Sequence, residues 1–446
     1  MAKSPPSASS QKSTPSTRSR LAAHLSDPLY QTGYYLILGT GITGLLGVVF
    51  WGVAAQAYPA REVGLNAAVI SAMALVSGAC TLGLNAVLVR YLPVAGRSTR
   101  RLVVGSYAAT VALSLALGAA AALTSQLWSP KLDFLTEPGW LIGFTLATAT
   151  MTIFTLQDSV LTGLQAAKWI PLENSLYSVA KLVLLLALAG AIPQSGLFVA
   201  WSAPLPAAIV LVSLLVFRRL IPARHTEGSL DRRQFLGMAR GNYAGLLFDL
   251  AATFYVPILV ANLVSAEEAA YFFVPWTLSV ALELVALSMM SSLTVEAAID
   301  MPRLRQLARR AFRQTMLLVC PVAAVTAIAA PWLLLAFGES YSDAGAPLLR
   351  ILAAGQIPSV IVVLGISVAR IEHRGGVVLA VQAVQAVLVI GLSAILIPGM
   401  GIEAVGVAWL ATQTAIALVL FAGILRPLLL PRRWAGEVGL GEPRLR

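Results

Sequence analysis

Charged side chains are scarce in this sequence. Asp, Glu, Lys and Arg together make up 11% of the 446 residues, whereas hydrophobic residues make up 58%. A water-soluble globule of this size needs far more polar surface than these residues supply. The composition therefore argues against a soluble globular protein and predicts an all-α integral membrane protein.

Cysteine and histidine are also rare. Cys80 and Cys320 both fall inside apolar segments, where a buried thiol is expected rather than a disulfide or a metal ligand. The 3 histidines are not spaced as a metal-binding pair. Gly39–Gly44 spells a dinucleotide-binding pattern, but it lies within an apolar span that offers no strand and no helix N-terminus for a pyrophosphate. The sequence thus predicts no metal, no cofactor, no catalytic residue and no enzyme.

Long apolar segments dominate the chain. A membrane-crossing helix needs roughly 20 apolar residues, and hydropathy together with Gly and Pro breakers predicts twelve such spans. The first six are expected at 33–56, 65–90, 102–126, 139–164, 174–193 and 196–217. The second six are expected at 241–264, 269–296, 314–337, 346–370, 376–397 and 402–425.

The positions of Lys and Arg predict the orientation, because cationic loops stay on the cytoplasmic side during insertion. Most of the 31 Lys and Arg residues fall on one side of this layout, and only Arg61 and Lys131 lie in loops on the other. Both termini are therefore expected in the cytoplasm, with the chain in the cytoplasmic membrane. The net charge of +11 follows from this sorting, so nucleic-acid binding is not expected. Contact of the basic faces with membrane lipid is expected instead.

These spans divide the chain into five predicted parts. They are a disordered cytoplasmic tail at 1–28, an N-lobe at 29–220, a cytoplasmic linker at 221–240, a C-lobe at 241–428 and a cytoplasmic tail at 429–446. Residues 301–315 carry Arg at helical spacing beside Leu, which indicates an amphipathic helix lying on the inner leaflet.

The two halves of the chain show an internal repeat. Shifting the second half by 206 residues brings 59–62 over 265–268, so that charged residues open an even-numbered span in each half. Repeats with an even number of spans have the same orientation and are related by an axis along the membrane normal. The expected architecture is two pseudo-symmetric lobes of six helices, with a cavity between them.

Several short stretches of the chain resemble a known transporter family. They are Ala54–Tyr58, Glu62–Leu65, Leu82–Pro93, Gly163–Leu164 ahead of Lys168, Phe337–Tyr341, Pro347–Leu352 and Gly401–Trp409. In their order along the spans they resemble the polysaccharide flippases of the multidrug/oligosaccharidyl-lipid/polysaccharide (MOP) exporter superfamily. The resemblance implies a MATE-like fold whose lobes rock about a central cavity. It also implies movement of a polyprenyl-diphosphate-linked oligosaccharide across the membrane. Separate hypotheses are coupling to protons or sodium and contact with glycosyltransferases of the same pathway.

Two other functions stay open. A cation-coupled drug or small-molecule antiporter of the same superfamily would have the same architecture. A membrane polysaccharide polymerase or ligase would have similar hydropathy, but it would carry a large external loop. The longest external loop predicted here is only about Leu127–Pro138.

Charges inside the spans are the candidate functional residues, because each costs roughly 2.5 to 3.5 kcal/mol on insertion scales. Lys181, Asp249 and Glu283 lie deep in their spans, which makes them candidate cavity residues. Asp249 and Glu283 are also candidates for ion coupling, because a carboxylate in a low-dielectric surrounding takes up a cation or proton readily. The resemblance places Arg90 near the cavity, where its guanidinium would bind a diphosphate.

Three further charges are predicted to form structural ion pairs. They are Asp158, Glu296 and Arg350. Lys181 is the partner predicted for Asp158, and Glu339 or Asp343 the partner predicted for Arg350.

Overall fold

The computed structural model describes residues 28–192, 194–221, 238, 243–299 and 301–429, and in these ranges every regular element is a helix. Both predicted tails and most of the predicted linker lie outside the described residues. The absence of strands is what a bilayer demands, since a helix satisfies its backbone hydrogen bonds within its own segment. The first half contains α1 Pro28–Ala57, α2 Ala60–Cys80, α3 Leu84–Tyr91, α4 Thr99–Leu123, α5 Pro138–Gly163, α6 Ile170–Leu188 and α7 Gly196–Leu220. The second half contains α8 Tyr243–Leu263, α9 Ala266–Ile299, α10 Leu304–Leu335, α11 Glu339–Ile371, α12 Gly375–Met400 and α13 Glu403–Leu429.

Eleven helices in the described ranges are long and apolar enough to cross a membrane. The first predicted span coincides with α1, where the shorter segment Gly41–Ala57 is apolar. The predicted spans therefore correspond to helices of the fold, and the chain is a multi-pass membrane protein.

The second predicted span is interrupted. Residues 65–90 were expected to form one helix, but α2 ends at Cys80 and α3 begins at Leu84. The backbone between them turns through two residues of positive φ, Leu82 at 54° and Gly83 at 68°. A left-handed pair cannot continue a right-handed helix, so the hydropathy pattern extends beyond the helix.

The amphipathic segment is also arranged differently from the prediction. Residues 304–315 do not form a separate interfacial helix, because α10 runs without a break from Leu304 to Leu335. The Arg-rich turns thus extend a spanning helix beyond its apolar part. Of the two cysteines, Cys80 is buried and Cys320 half-buried, and both are free thiols.

The two lobes meet along α2 and α9, which are equivalent elements of the repeat. α2 begins at Ala60 and α9 at Ala266, a separation of 206 residues, and the two helices pack against each other. The approach is closest at Gly64, where an added Cβ would lie 1.9 Å from the carbonyl oxygen of Ala266. Only glycine allows the two backbones to come this close. The N-terminal ends of α2 and α9 therefore form a tight contact between the lobes.

Hydrogen bonds also join the two lobes at the face where α2 and α9 begin. Ser129 Oγ lies 2.6 Å from Asn262 Oδ1, and Asn262 Nδ2 donates to the carbonyl oxygen of Trp128 at 3.0 Å. Lys131 Nζ donates to the carbonyl oxygen of Val264. These bonds join the segment after α4 to the end of α8. The lobes are thus closed at the face that the Lys and Arg distribution predicts to be external.

Candidate functional site

The lobes separate at the opposite face, where they enclose a cavity of about 680 Å³. The N-lobe contributes the turn and first residues of α3, at Gly83, Asn85 and Ala86. The C-lobe contributes α8, the end of α11 and the start of α12. The cavity thus lies at the end of the lobe interface opposite the contact of α2 with α9.

A second cavity of about 690 Å³ lies within the C-lobe. It adjoins the first, because Asp249, Arg370 and Gln382 line both. Its walls are mostly apolar, with polar groups supplied by a few side chains including Glu283 and Gln385. An apolar cavity with a few convergent polar groups, in this size range, is typical of a ligand site.

Three charges converge where the two cavities meet. Asp249 is attracted electrostatically by Arg370 and repelled by Glu283. No ion pair joins Asp249 to Arg370 among the described residues. Glu283 Oε1 accepts a long hydrogen bond of 3.4 Å from Ser359 Oγ. Asp249 and Arg370 therefore keep donor and acceptor capacity for a ligand.

Lys181 does not lie in either cavity. Its side chain is buried at 2% exposure among aromatic rings from three helices of the N-lobe. Its Nζ lies 3.9 Å from the ring centre of Trp201, 5.1 Å from that of Phe50 and 5.2 Å from that of Tyr177. We call these three rings the aromatic cage. The sequence predicted how deep Lys181 lies in its span, but not where its side chain points. The direction of the side chain depends on how α6 is rotated against α1 and α7.

The other two cationic residues among the predicted candidates, Arg90 and Arg350, are both exposed. Arg90 is exposed in the last turn of α3, and it lies one turn beyond Ala86 on the same helix face. Arg90 itself does not line the cavity of which Ala86 forms part. Arg350 Nε donates to the carbonyl oxygen of Ala327 at 3.4 Å, and no ion pair with Glu339 or Asp343 forms in the described residues. The predicted pairing of Arg350 is thus replaced by a contact with α10.

Asp158 faces a different neighbour from the one expected. No ion pair joins it to Lys181 in the part of the chain that is described. The carboxylate of Glu173 on α6 interacts with it electrostatically, and Asn174 lies beside it. The lysine and the aspartate are separated because Lys181 lies two helical turns further along α6 than Glu173. The side chain of Glu296 lies outside the described ones, so its predicted pairing stays a prediction.

Three residues that line the cavities were not predicted from the sequence. Arg370 was taken as the last residue of its span, although it lines both cavities. Gln382 and Gln385 carry no charge and were not selected. Two amides three residues apart inside an apolar run were the available signal, because such polar side chains in a span usually face protein or water.

Comparisons with solved structures identify the fold. A multidrug-resistance MATE family transporter of the MOP superfamily in its inward-facing conformation matches with a TM-score of 0.64 and 16% identity, over 91% of this chain and 98% of the other. The lipid II flippase MurJ in an inward closed conformation matches with a TM-score of 0.72 and 12% identity, over 89% of each chain. A MOP superfamily transporter from Pyrococcus furiosus, described as having a binding pocket of reverse polarity, matches with a TM-score of 0.59 and 15% identity, over 90% of this chain and 96% of the other.

These matches define the class of protein. The chain is a multi-pass membrane protein with the two-lobe, all-helical fold of MATE transporters of the MOP superfamily, and the lipid II flippase MurJ shares this fold. No protein-family model and no curated protein sequence matches the chain. The predicted fold is confirmed, including its MATE-like character.

Proposed function

We propose that this protein is a flippase that moves a polyprenyl-diphosphate-linked oligosaccharide across the membrane by alternating access. The observation that carries the proposal is the pair of adjoining cavities, whose mostly apolar walls carry Arg370 together with a few other polar side chains, including Asp249 and Glu283. A flippase must lower the cost of moving a charged, hydrated head group through hydrocarbon. A water-accessible cavity with a few polar groups meets this requirement.

Arg370 is the residue best placed to bind the diphosphate. It lies where the cavities meet, and a guanidinium forms paired hydrogen bonds to phosphate oxygens. Asp249 partly offsets the charge of Arg370 in the empty protein, since the two attract each other without direct contact. The amides of Gln382 and Gln385 are suited to sugar hydroxyl groups, because an amide both donates and accepts hydrogen bonds.

The lipid tail needs a path between the lobes, and the structure contains a groove suited to it. An apolar cavity of about 400 Å³ lies between α2 and α4 of the N-lobe and α8 of the C-lobe. Tyr255 and Ile258 form its C-lobe wall, and Leu75 and Leu117 are among its N-lobe residues. The tail would lie in this groove while the head group occupies the inter-lobe cavity.

A cation-coupled antiporter of small molecules is the second candidate function. It is favoured by Asp249 and Glu283, because two acids at one cavity would attract a cationic substrate or a coupling ion. The two functions differ in substrate charge. A diphosphate depends on Arg370, whereas a cationic drug depends on the acids and is repelled by Arg370.

The experiment is a flipping assay in proteoliposomes that contain a polyprenyl-diphosphate oligosaccharide with a fluorescent sugar. A membrane-impermeant quencher reports how much of the label reaches the outer leaflet. The wild-type chain is expected to make the inner-leaflet label accessible. Arg370→Gln is expected to slow this at least about tenfold, because a hydrogen bond to a charged group contributes about 1.5–3 kcal/mol.

Arg350→Gln is the matched control, since it removes the same charge from the same helix away from both cavities. It is expected to flip at the wild-type rate. A wild-type protein that leaves the inner-leaflet label protected would refute the flippase proposal, and gradient-driven efflux of a cationic dye would then support the antiporter. Equal rates for Arg370→Gln and wild type would remove Arg370 from the mechanism.

A further inference from the structure

A further cavity of about 540 Å³ lies in the C-lobe, between the first turns of α10 and the last turns of α13. The Lys and Arg distribution predicts that this end of the C-lobe faces the cytoplasm. Three arginines and three apolar side chains line the cavity, namely Arg309, Arg310, Phe312, Arg313, Phe421 and Leu429. We call it the basic cavity. None of its lining residues belongs to the two transport cavities, so it is a separate feature of the fold.

The two helices that form the basic cavity are joined to each other. Arg309 Nε donates to the carbonyl oxygen of Leu428 at 2.8 Å, which ties the start of α10 to the end of α13. Ala308 and Leu425 are fully buried in one apolar cluster of the C-lobe. The spacing of the two helices, and with it the shape of the basic cavity, is therefore fixed by tertiary packing.

Arg310 and Arg313 are the side chains of the basic cavity that can bind an anion. Both are exposed, and neither forms an ion pair within the described part of the chain. They are three residues apart, so they lie on one face of α10, where two like charges repel each other. An anion bound between them removes this repulsion. Phosphate suits the pair best, because a guanidinium forms paired hydrogen bonds to phosphate oxygens.

The surface beside the basic cavity changes from charged to apolar within one helical turn. Leu317 follows Arg313 by four residues on the same face of α10 and is 68% exposed. Leu418 precedes Phe421 by three residues on α13 and is 66% exposed. Exposed leucines of spanning helices face acyl chains, so the arginines one turn away lie at the level of the lipid phosphates. A ligand that joins a phosphate to a hydrocarbon chain matches this surface.

We infer that the basic cavity binds an anionic phospholipid of the cytoplasmic leaflet, with its phosphate between Arg310 and Arg313 and an acyl chain along Leu317. Basic pockets between spanning helices on the cytoplasmic side are typical binding sites for anionic lipid head groups. Residues 430–446, which follow α13 directly, are a less suitable occupant. They contain four Arg and two Glu, and this net positive charge is repelled by the arginines of the cavity. The inference does not rest on the proposed flippase function.

The test is fluorescence quenching of the full-length protein in phosphatidylcholine nanodiscs. A bimane label is attached at Leu317→Cys, in a background with Cys80→Ala and Cys320→Ala. The discs contain a small fraction of phosphatidylglycerol with a doxyl quencher on one acyl chain, or the same fraction of equally labelled phosphatidylcholine. Phosphatidylglycerol is expected to quench at least about fivefold more strongly, because each basic side chain near an anionic lipid adds to its affinity. Arg310→Gln combined with Arg313→Gln should make the two lipids quench equally.

Arg218→Gln combined with Arg219→Gln is the matched control. It removes two exposed arginines from the end of α7, in the other lobe, and should leave the preference for phosphatidylglycerol unchanged. Equal quenching by the two lipids in the wild type overturns the inference. It is also overturned if the control variant loses the preference as fully as the Arg310/Arg313 variant, because attraction by the overall charge would then explain it. Loss of the preference on adding inorganic phosphate overturns it as well, since the ligand would then be a soluble anion.

Discussion

The aromatic cage allows a quantitative test of how this fold accommodates a buried lysine. The Lys181 ammonium lies 3.9 Å from the ring centre of Trp201, and no hydrogen bond or ion pair to it is present among the described residues. A desolvated cation–π contact contributes about 2 kcal/mol or more, and Trp is the strongest aromatic partner. The cage therefore offsets part of the desolvation cost that burial of the ammonium carries.

A double-mutant cycle measures this contact directly. The variants are Lys181→Met, which keeps the length of the side chain, Trp201→Leu, which removes the nearest ring, and the combination of both. The coupling energy between the two positions is expected to be about 2 kcal/mol, since each single change removes the same interaction. Trp201→Leu should be the more destabilising single change, because it leaves a buried ammonium with a weaker partner.

The assay is equilibrium unfolding of the purified protein in mixed micelles of mild detergent and SDS. Both variants that lack Trp201 lose its packing, so this loss cancels in the coupling energy. A coupling energy below about 0.5 kcal/mol would refute the reasoning, because it would mean that Lys181 is uncharged or that Trp201 does not stabilise it. Lys181→Met should flip the labelled lipid at the wild-type rate, since Lys181 does not reach either cavity.

Two further predictions concern the conformational cycle and ion coupling. Asn262→Ala removes the hydrogen bonds to Ser129 and Trp128 on the closed face. At about 1 kcal/mol each, their loss should shift the population about 30-fold toward a state that is open at this face. Spin-label distances across the face report the shift. Asp249→Asn combined with Glu283→Gln should abolish the dependence of transport on an imposed proton or sodium gradient, because both cavity carboxylates lose their charge; flipping rates with and without each gradient measure this.

The outcomes that would contradict these two predictions are equally specific. Spin labels at the exposed positions Asp133 and Glu267, in a background with Cys80 and Cys320 replaced, should show a longer distance in the Asn262→Ala variant. An unchanged distance distribution would mean that the hydrogen bonds of Asn262 do not hold the lobes together at this face. A double variant at Asp249 and Glu283 that still responds to the gradient would locate coupling elsewhere in the protein.

Local hydropathy predicted the helices well, and it failed where backbone conformation intervened. The start of α9 and the 206-residue separation from α2 were visible in the sequence, because charged residues mark where each span leaves the membrane. The break after Cys80 was not visible, since Leu82 and Gly83 are as apolar as their neighbours and differ only in φ. Hydropathy measures the composition of a segment, and it does not detect a change of backbone handedness within one.

The candidate site was predicted in part, and the errors share one cause. Asp249 and Glu283 do line a cavity, whereas Lys181 at a similar depth is enclosed by aromatic rings. Arg370 was overlooked because it ends a span, yet the rotation of α11 directs it into both cavities. Depth in the membrane can be counted along the chain, but the direction of a side chain depends on the neighbouring helices.

The sequence by itself determined that this is a membrane protein with many spans, arranged as two similar halves. Those properties follow from the hydropathy and charge of short segments, so each segment can be interpreted without knowing how the chain folds. The tertiary structure alone decided which charges meet, which face of the molecule is closed and which side chains line the cavities. Each of these depends on the packing of helices that are distant in the chain, because an ion or a hydrogen-bonding group is satisfied only by atoms within a few ångströms of it.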